Sequence, residues 1–63
     1  MNLVAPFSIS QSDISSYLET FFTSPENRTI NALEQKASLC KFDSDEIKNQ
    51  FLEQGRHMLT KFD

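Results

Sequence analysis

The chain carries one cysteine and one histidine, the residue types that most often act as nucleophile and base near neutral pH. A thiol activated by an imidazole must lie within hydrogen-bond reach of it, so Cys40 and His57 would have to face each other in the fold. The hydrophobic periodicity instead places Cys40 on an apolar helical stripe and His57 on the polar face of another helix. We therefore predict no catalytic residue and expect Cys40 to pack as a small apolar side chain.

The densest acidic cluster consists of Asp43, Asp45 and Glu46. Closely spaced carboxylates bind Ca²⁺ when a loop with a central glycine and a distal glutamate wraps them around the ion, and that pattern is missing here. The same residues suit the start of a helix, where carboxylates offset the helix dipole. Because Cys40 and His57 alone are too few for a structural zinc site, the sequence predicts neither a metal ion nor a cofactor.

Size and composition set the next limits. A chain of 63 residues is one domain at most, and a core of this size gives roughly 3–5 kcal/mol of net stability. A single cysteine permits no intramolecular disulfide, so we expect self-association to supplement the core. Six phenylalanines with one glycine and two prolines favour a few long helices over an all-β fold.

The first helix is predicted over residues 11–23. Ser10 suits its N-cap, and Ile9 and Ile14 suit a hydrophobic staple around that cap. The second helix is predicted over residues 25–40, with Ser24 as its cap and Pro25 at its first position. Apolar side chains recur along each helix at helical spacing: Ile14, Tyr17, Leu18, Phe21 and Phe22 in the first, and Ile30, Leu33, Ala37 and Cys40 in the second. On the second helix, Lys36 lies between Ala32 and Leu39 on an adjoining face.

The third helix is predicted over residues 44–62, with Asp43 as its N-cap and Glu46 completing a capping box. Gly55 falls inside its apolar stripe, where a glycine allows another helix to approach closely, either from the same chain or from a second copy. His57 lies on the opposite, polar face.

These elements predict an all-α fold: a small three-helix bundle, or a helical hairpin plus one crossing helix, with a short apolar N-terminal arm. The arm carries Leu3, Val4 and Phe7. It either covers an open end of the chain's own core or docks on a partner, and we favour the first reading.

The charge pattern bears on the classes of partner. A net charge of −3, with no basic patch, disfavours nucleic acid. A weak helix-turn-helix spacing, formed by Ala37, Cys40, Phe42 and Ile47, would present two carboxylates to DNA phosphates. The sequence predicts no membrane-spanning segment and no signal peptide, from which we expect a cytoplasmic protein.

The leading hypothesis is a small non-enzymatic regulatory or adaptor protein that binds another protein, of unknown identity, through a helical face and forms a homodimer. The alternatives are a DNA-binding regulator that uses the weak helix-turn-helix, and a small acidic inhibitor of phage or plasmid type. The predicted interface comprises Phe51, Gly55, Met58, Leu59 and Phe62, with Phe21 and Phe22 as a second patch.

Overall fold

The computed structural model describes residues 8–62 and confirms the all-α class. Three α-helices make up most of the described chain: α1 (Ile14–Phe21), α2 (Ile30–Leu39) and α3 (Asp45–Thr60). The predicted N-terminal arm with Leu3, Val4 and Phe7 lies outside the described residues.

A two-stranded parallel sheet joins the start of the described chain to the α2–α3 connection. Strand β1 (Ser8–Ile9) pairs with strand β2 (Lys41–Phe42), and Ile9 lies opposite Phe42. The amide of Asp43 extends the pairing by donating to the carbonyl of Ile9 over 3.4 Å. Hydrophobic periodicity does not predict this sheet, because two residues are too short to show alternation.

Helix α3 is the central element, since α2 packs along it and α1 packs beside it. Glu34 and Arg56 form an ion pair of 3.2 Å, which places the first half of α2 beside the second half of α3. The rings of Tyr17 and Phe51 are 5.9 Å apart and those of Phe22 and Phe62 are 5.7 Å apart. Helices α1 and α3 therefore run in the same direction, and α2 runs opposite to both.

The core is formed where these three helices meet β1. All of its fully enclosed residues are apolar, and they come from every helix and from the first strand. They are Ile9, Ile14, Leu18, Phe22, Leu33, Ala37 and Phe51. Burial of Ile9 and Ile14 agrees with the predicted staple at the start of the first helix.

The first helix is shorter than predicted at both ends. Residues Gln11–Asp13 form a 3₁₀ turn, and the α-helix ends at Phe21. The Ser10 hydroxyl donates to the Asp13 carboxylate over 2.9 Å instead of accepting from a backbone amide. This side-chain contact favours the tighter turn before α1 begins.

The second helix begins five residues later than predicted, at Ile30, and the expected start at Pro25 is a separate 3₁₀ turn. The chain is held against the end of α1 because the Asn27 amide donates to the carbonyl of Phe21 and Arg28 Nε donates to that of Phe22. Helix carbonyls at a C-terminus lack intrahelical partners, so these two bonds compete with helix formation after Pro25. Thr29 then caps α2, its hydroxyl accepting from the amide of Ala32 over 3.0 Å.

The N-cap of α3 is Ser44, and the prediction of Asp43 was wrong by one residue. The Ser44 hydroxyl accepts from the amide of Ile47 over 3.3 Å. Asp43 is instead tied to β1 through its backbone amide, which leaves the next residue to cap the helix. The helix ends at Thr60, two residues before the predicted end.

Gly55 lies where α3 meets α2 within the same chain. A Cβ atom at this position would lie 2.6 Å from Leu33 Cδ1 and 2.8 Å from Leu33 Cδ2, closer than side chains approach each other in proteins. Leu33 is fully buried and has little room to move aside. Of the two readings of Gly55, the structure therefore supports close packing inside one chain.

We expect Gly55→Ala to lower the free energy of unfolding by about 1 kcal/mol, because the cost of overpacking against Leu33 exceeds the gain in helix propensity. In a Leu33→Ala background the same substitution should raise stability, since the opposing methyl groups are gone. Urea unfolding of the parent chain, the two single variants and the double variant measures both effects. A Gly55→Ala variant that is more stable than the parent chain would contradict the packing described here.

The two candidate caps of α3 give a second test. Ser44→Ala should lower the free energy of unfolding by about 1 kcal/mol, because one amide of the first turn loses its acceptor. Asp43→Ala is the matched control and should cost less, since Asp43 contributes its backbone amide to the strand pair. Thermal unfolding followed by circular dichroism compares the two, and a larger loss at Asp43 would restore the capping box predicted from the sequence.

Candidate functional site

An open groove lies between α1 and α2. Both helices pack on α3 and make little direct contact with each other, so the space between them is not filled. The main hollow has a volume of about 500 Å³, and its lining is mostly apolar. It is lined by Asp13, Ser16, Tyr17, Thr20, Phe21 and Lys36, and we call this surface, together with its continuation to Leu39, the α1–α2 groove.

One face of α1 forms a wall of the groove. The five lining residues from this part of the chain, from Asp13 to Phe21, recur at spacings of three, one, three and one residues, which places them on a single helical face. On the opposite side of this segment, the side chains of Ile14, Leu18 and Phe22 face the core. Helix α1 therefore has an enclosed apolar face and an open face on which Tyr17 and Phe21 are the large aromatic residues.

Lys36 crosses the groove from α2. Its ammonium lies 5.8 Å from the centre of the Phe21 ring, within the range of a cation–π contact, and its side chain is half-buried. Beyond Phe21 and Lys36 the groove continues as a hollow of about 260 Å³ that reaches Leu39. Leu39 is 79% exposed, the largest exposed fraction among the large hydrophobic residues of the described chain.

Tyr17 forms the floor of the groove next to Cys40. The Tyr17 hydroxyl and the Cys40 sulfur are 3.6 Å apart, at hydrogen-bond distance for a sulfur partner. Partial burial, followed by the hydrogen bond and the charge of the Cys40 side chain, raises the pKa of Tyr17 to about 12. The hydroxyl therefore stays neutral throughout the physiological range, and the groove floor carries no charge.

The structure divides the predicted interface residues between the interior and the surface. Phe51, Gly55 and Phe22 are buried within the single chain and are not available to a partner. Met58 and Leu59 are half-buried against the core. Met58 and Leu59 therefore contribute to the core and keep part of their surface accessible.

Phe62 and Phe21 are the other two residues of the predicted interface. Phe62 is 45% exposed, and the Arg28 guanidinium covers one face of its ring at 4.5 Å. Phe21 is half-buried and lines the groove. Phe22 connects them inside the fold, since its ring lies 5.3 Å from that of Phe21 and 5.7 Å from that of Phe62.

Cys40 and His57 are not brought together. Cys40 contacts Tyr17 at the end of α2, whereas His57 is exposed on α3 beside Gln50, Glu53 and Gln54. Within residues 8–62, no group of three or more His, Cys, Asp or Glu side chains is arranged to hold a metal ion. Asp45 and Glu46 occupy the first turn of α3, where they face its positive dipole.

Sequence reasoning selected only Phe21 among the lining residues of the main hollow, and it missed Tyr17, Lys36 and Leu39 among others. A signal for them was present, since Lys36 and Leu39 share a helical face that is separate from the buried stripe of α2. Periodicity alone could not show that α1 leaves this face uncovered. That outcome depends on both helices packing against α3.

Comparison with protein-family models, with characterised proteins and with solved structures gave no match. None of the helices in residues 8–62 combines the length and the apolar character that crossing a membrane requires. The proposals below therefore rest on the geometry of the chain.

The shifted pKa of Tyr17 predicts a pH dependence. An unfolded tyrosine ionises near pH 10 and the folded one near pH 12, so the folded state holds its proton more tightly between these values. This contribution to stability is complete below pH 10 and is lost as the pH rises towards 12. Because Tyr17 is the only tyrosine and there is no tryptophan, tyrosinate absorbance reports this group alone.

We expect native-state absorbance to titrate with a midpoint near pH 12, and Tyr17→Phe to flatten the fall in stability between pH 10 and 12. Cys40→Ala should lower the midpoint, since it removes the hydrogen-bond partner but keeps a small apolar side chain. A midpoint near 10 in the folded parent chain would contradict the burial of Tyr17 together with its contact with Cys40.

Proposed function

We propose that this chain is a small, non-enzymatic, cytoplasmic regulatory or adaptor protein that acts through helix-mediated contact with another protein. We further propose that it self-associates as a homodimer and that the α1–α2 groove is the contact surface. The observation that carries this proposal is an open, largely apolar groove beside Leu39, a leucine that is 79% exposed.

The composition of the groove supports a protein occupant. Tyr17 and Phe21 provide rigid aromatic area, and such residues are enriched where protein interfaces are most strongly bound. Leu39 extends this area at the end of α2, and its exposure is costly in water unless another surface covers it. A second helix laid along the groove would cover all three side chains.

The charges of the groove support a second copy as that occupant. Lys36 and Asp13 contribute one positive and one negative side chain to the same lining. When two copies of the groove face each other, the positive side chain of one copy can therefore pair with the negative side chain of the other. The acidic start of α3, with Asp45 and Glu46, would repel the phosphates of nucleic acid. These features favour self-association over the DNA-binding alternative.

The buried residues of α3 also bear on the proposal. Phe51 and Gly55 contact other elements of their own chain, so self-association through this face would require the core to open. A groove on the surface allows the chain to fold first and associate afterwards. We expect a contact of modest area and a correspondingly weak dimer.

We expect Leu39→Glu to weaken self-association by about tenfold or more, because it places a carboxylate in the apolar contact. The free energy of unfolding should change by less than about 0.5 kcal/mol, since this side chain is already in water. Sedimentation equilibrium over a range of concentrations measures the dissociation constant of the dimer, and circular dichroism checks that the variant keeps its helices.

Ile30→Glu is the matched control. It makes the same change in charge at another exposed apolar residue of α2, 45% exposed and outside the groove lining. The dissociation constant of the dimer formed by this variant should stay within about threefold of the parent value. A chain that remains monomeric at the highest soluble concentration, or a dimer lost equally in both variants, would overturn the proposed contact surface.

A further inference from the structure

We propose that the homodimer has a two-fold axis beside Tyr17, with α1 packed antiparallel to α1 of the second copy and Asp13 of each copy paired with Lys36 of the other. This inference rests on the proposed function and goes further, because it fixes which residues of the two grooves meet. It follows from the order of side chains along one face of α1 and the position of Lys36.

The spacing along α1 is symmetric about Tyr17. Asp13 precedes it by four residues and Phe21 follows it by four, so each lies about 6 Å from Tyr17 along the helix. In an antiparallel pair related by a two-fold axis at Tyr17, Asp13 of one copy therefore faces Phe21 of the other. Phe21 lies on the open face of α1, and Asp13, the last residue of the preceding 3₁₀ turn, lines the same groove.

Lys36 marks the Phe21 end of each groove. Its ammonium lies 5.8 Å from the centre of the Phe21 ring, so whatever faces Phe21 also faces this positive charge. The side chain that the two-fold axis brings there is the Asp13 carboxylate of the second copy. The same operation produces the equivalent pair at the other end, giving two ion pairs per dimer.

The surroundings of both charges leave them able to pair. Asp13 is exposed and accepts a hydrogen bond from the Ser10 hydroxyl through Oδ2, which leaves Oδ1 open. Within residues 8–62, the one ion pair at 4.0 Å or less joins Glu34 to Arg56, so Lys36 has no carboxylate partner in this part of the chain. A second copy supplies the missing charge at each site.

The remaining side chains of the face allow two helices to approach. Ser16 and Thr20 are small and exposed, and they line the groove together with Tyr17. Small side chains beside an aromatic residue permit close helix packing, while the aromatic rings bury apolar area.

A charge exchange tests the pairing. Asp13→Lys and Lys36→Asp each place two pairs of like charges in the dimer, and each should weaken self-association by about tenfold or more. The double variant restores opposite charges at both sites and should return to within about threefold of the parent dissociation constant. Glu53→Lys and Lys61→Asp make the same changes in charge outside the groove lining and should have little effect.

Disulfide trapping provides a second measurement, useful because Asp13→Lys removes the contact with Ser10 and could disturb the turn before α1. In the proposed dimer, the two copies of residue 16 are offset by only about 3 Å along the helices. Ser16→Cys in a Cys40→Ser background should therefore form an intermolecular disulfide rapidly under mild oxidation. Ser38→Cys in the same background is the control, since Ser38 is exposed on α2 outside the groove lining.

Three outcomes separate this inference from the proposed function. Rescue by the double charge exchange, with trapping at position 16 and not at position 38, supports the antiparallel pairing. A parent dimer that is sensitive to Leu39→Glu but shows neither rescue nor trapping overturns the pairing and leaves the groove as the contact surface. A parent chain that is monomeric at all concentrations overturns both.

Discussion

The ring of Phe51 holds the parts of this small fold together. It is fully buried on α3, and its centre lies 5.9 Å from that of Tyr17 and 5.2 Å from that of Phe42. It therefore connects α1 and the second strand to the central helix through one side chain. Aromatic rings bury more apolar area than other side chains, so a chain of 63 residues gains much of its core from a few of them. Gly55, one turn further along α3, adds to this arrangement by letting Leu33 of α2 approach the helix backbone.

The same packing explains why the groove stays open. Helices α1 and α2 each turn their buried stripe towards α3 and make little direct contact with each other. The side chains left between them are Tyr17, Phe21, Lys36 and, at the end of α2, Leu39. A groove of this kind results when two short helices share one longer partner. Its mixed character, aromatic with one charge of each sign, suits a contact that forms and separates without unfolding the chain.

Much of the architecture was predictable from the sequence, for reasons that are local. The all-α class, the buried stripes of Ile14, Leu18 and Leu33, and the close approach at Gly55 follow from helical spacing and composition. The start of α2 was not predictable in this way, because Pro25 gives a strong local signal that is overridden by hydrogen bonds from Asn27 and Arg28 to the end of α1. The strand pair involving Ile9 and Phe42 is equally non-local. For the site, periodicity identified apolar side chains such as Phe51 and Phe21, but it could not separate the one enclosed by its own chain from the one left in a groove.

The central claim is that the core around Phe51 is complete within one chain, so that folding precedes assembly. The most direct measurement is helical circular dichroism recorded together with molar mass by light scattering across a dilution series of the proposed dimer. We expect helix content to stay constant while the mass falls to that of a single chain, 7.3 kDa. A loss of helix in step with dissociation would contradict it, since the buried face of α3 would then need a second copy in order to fold.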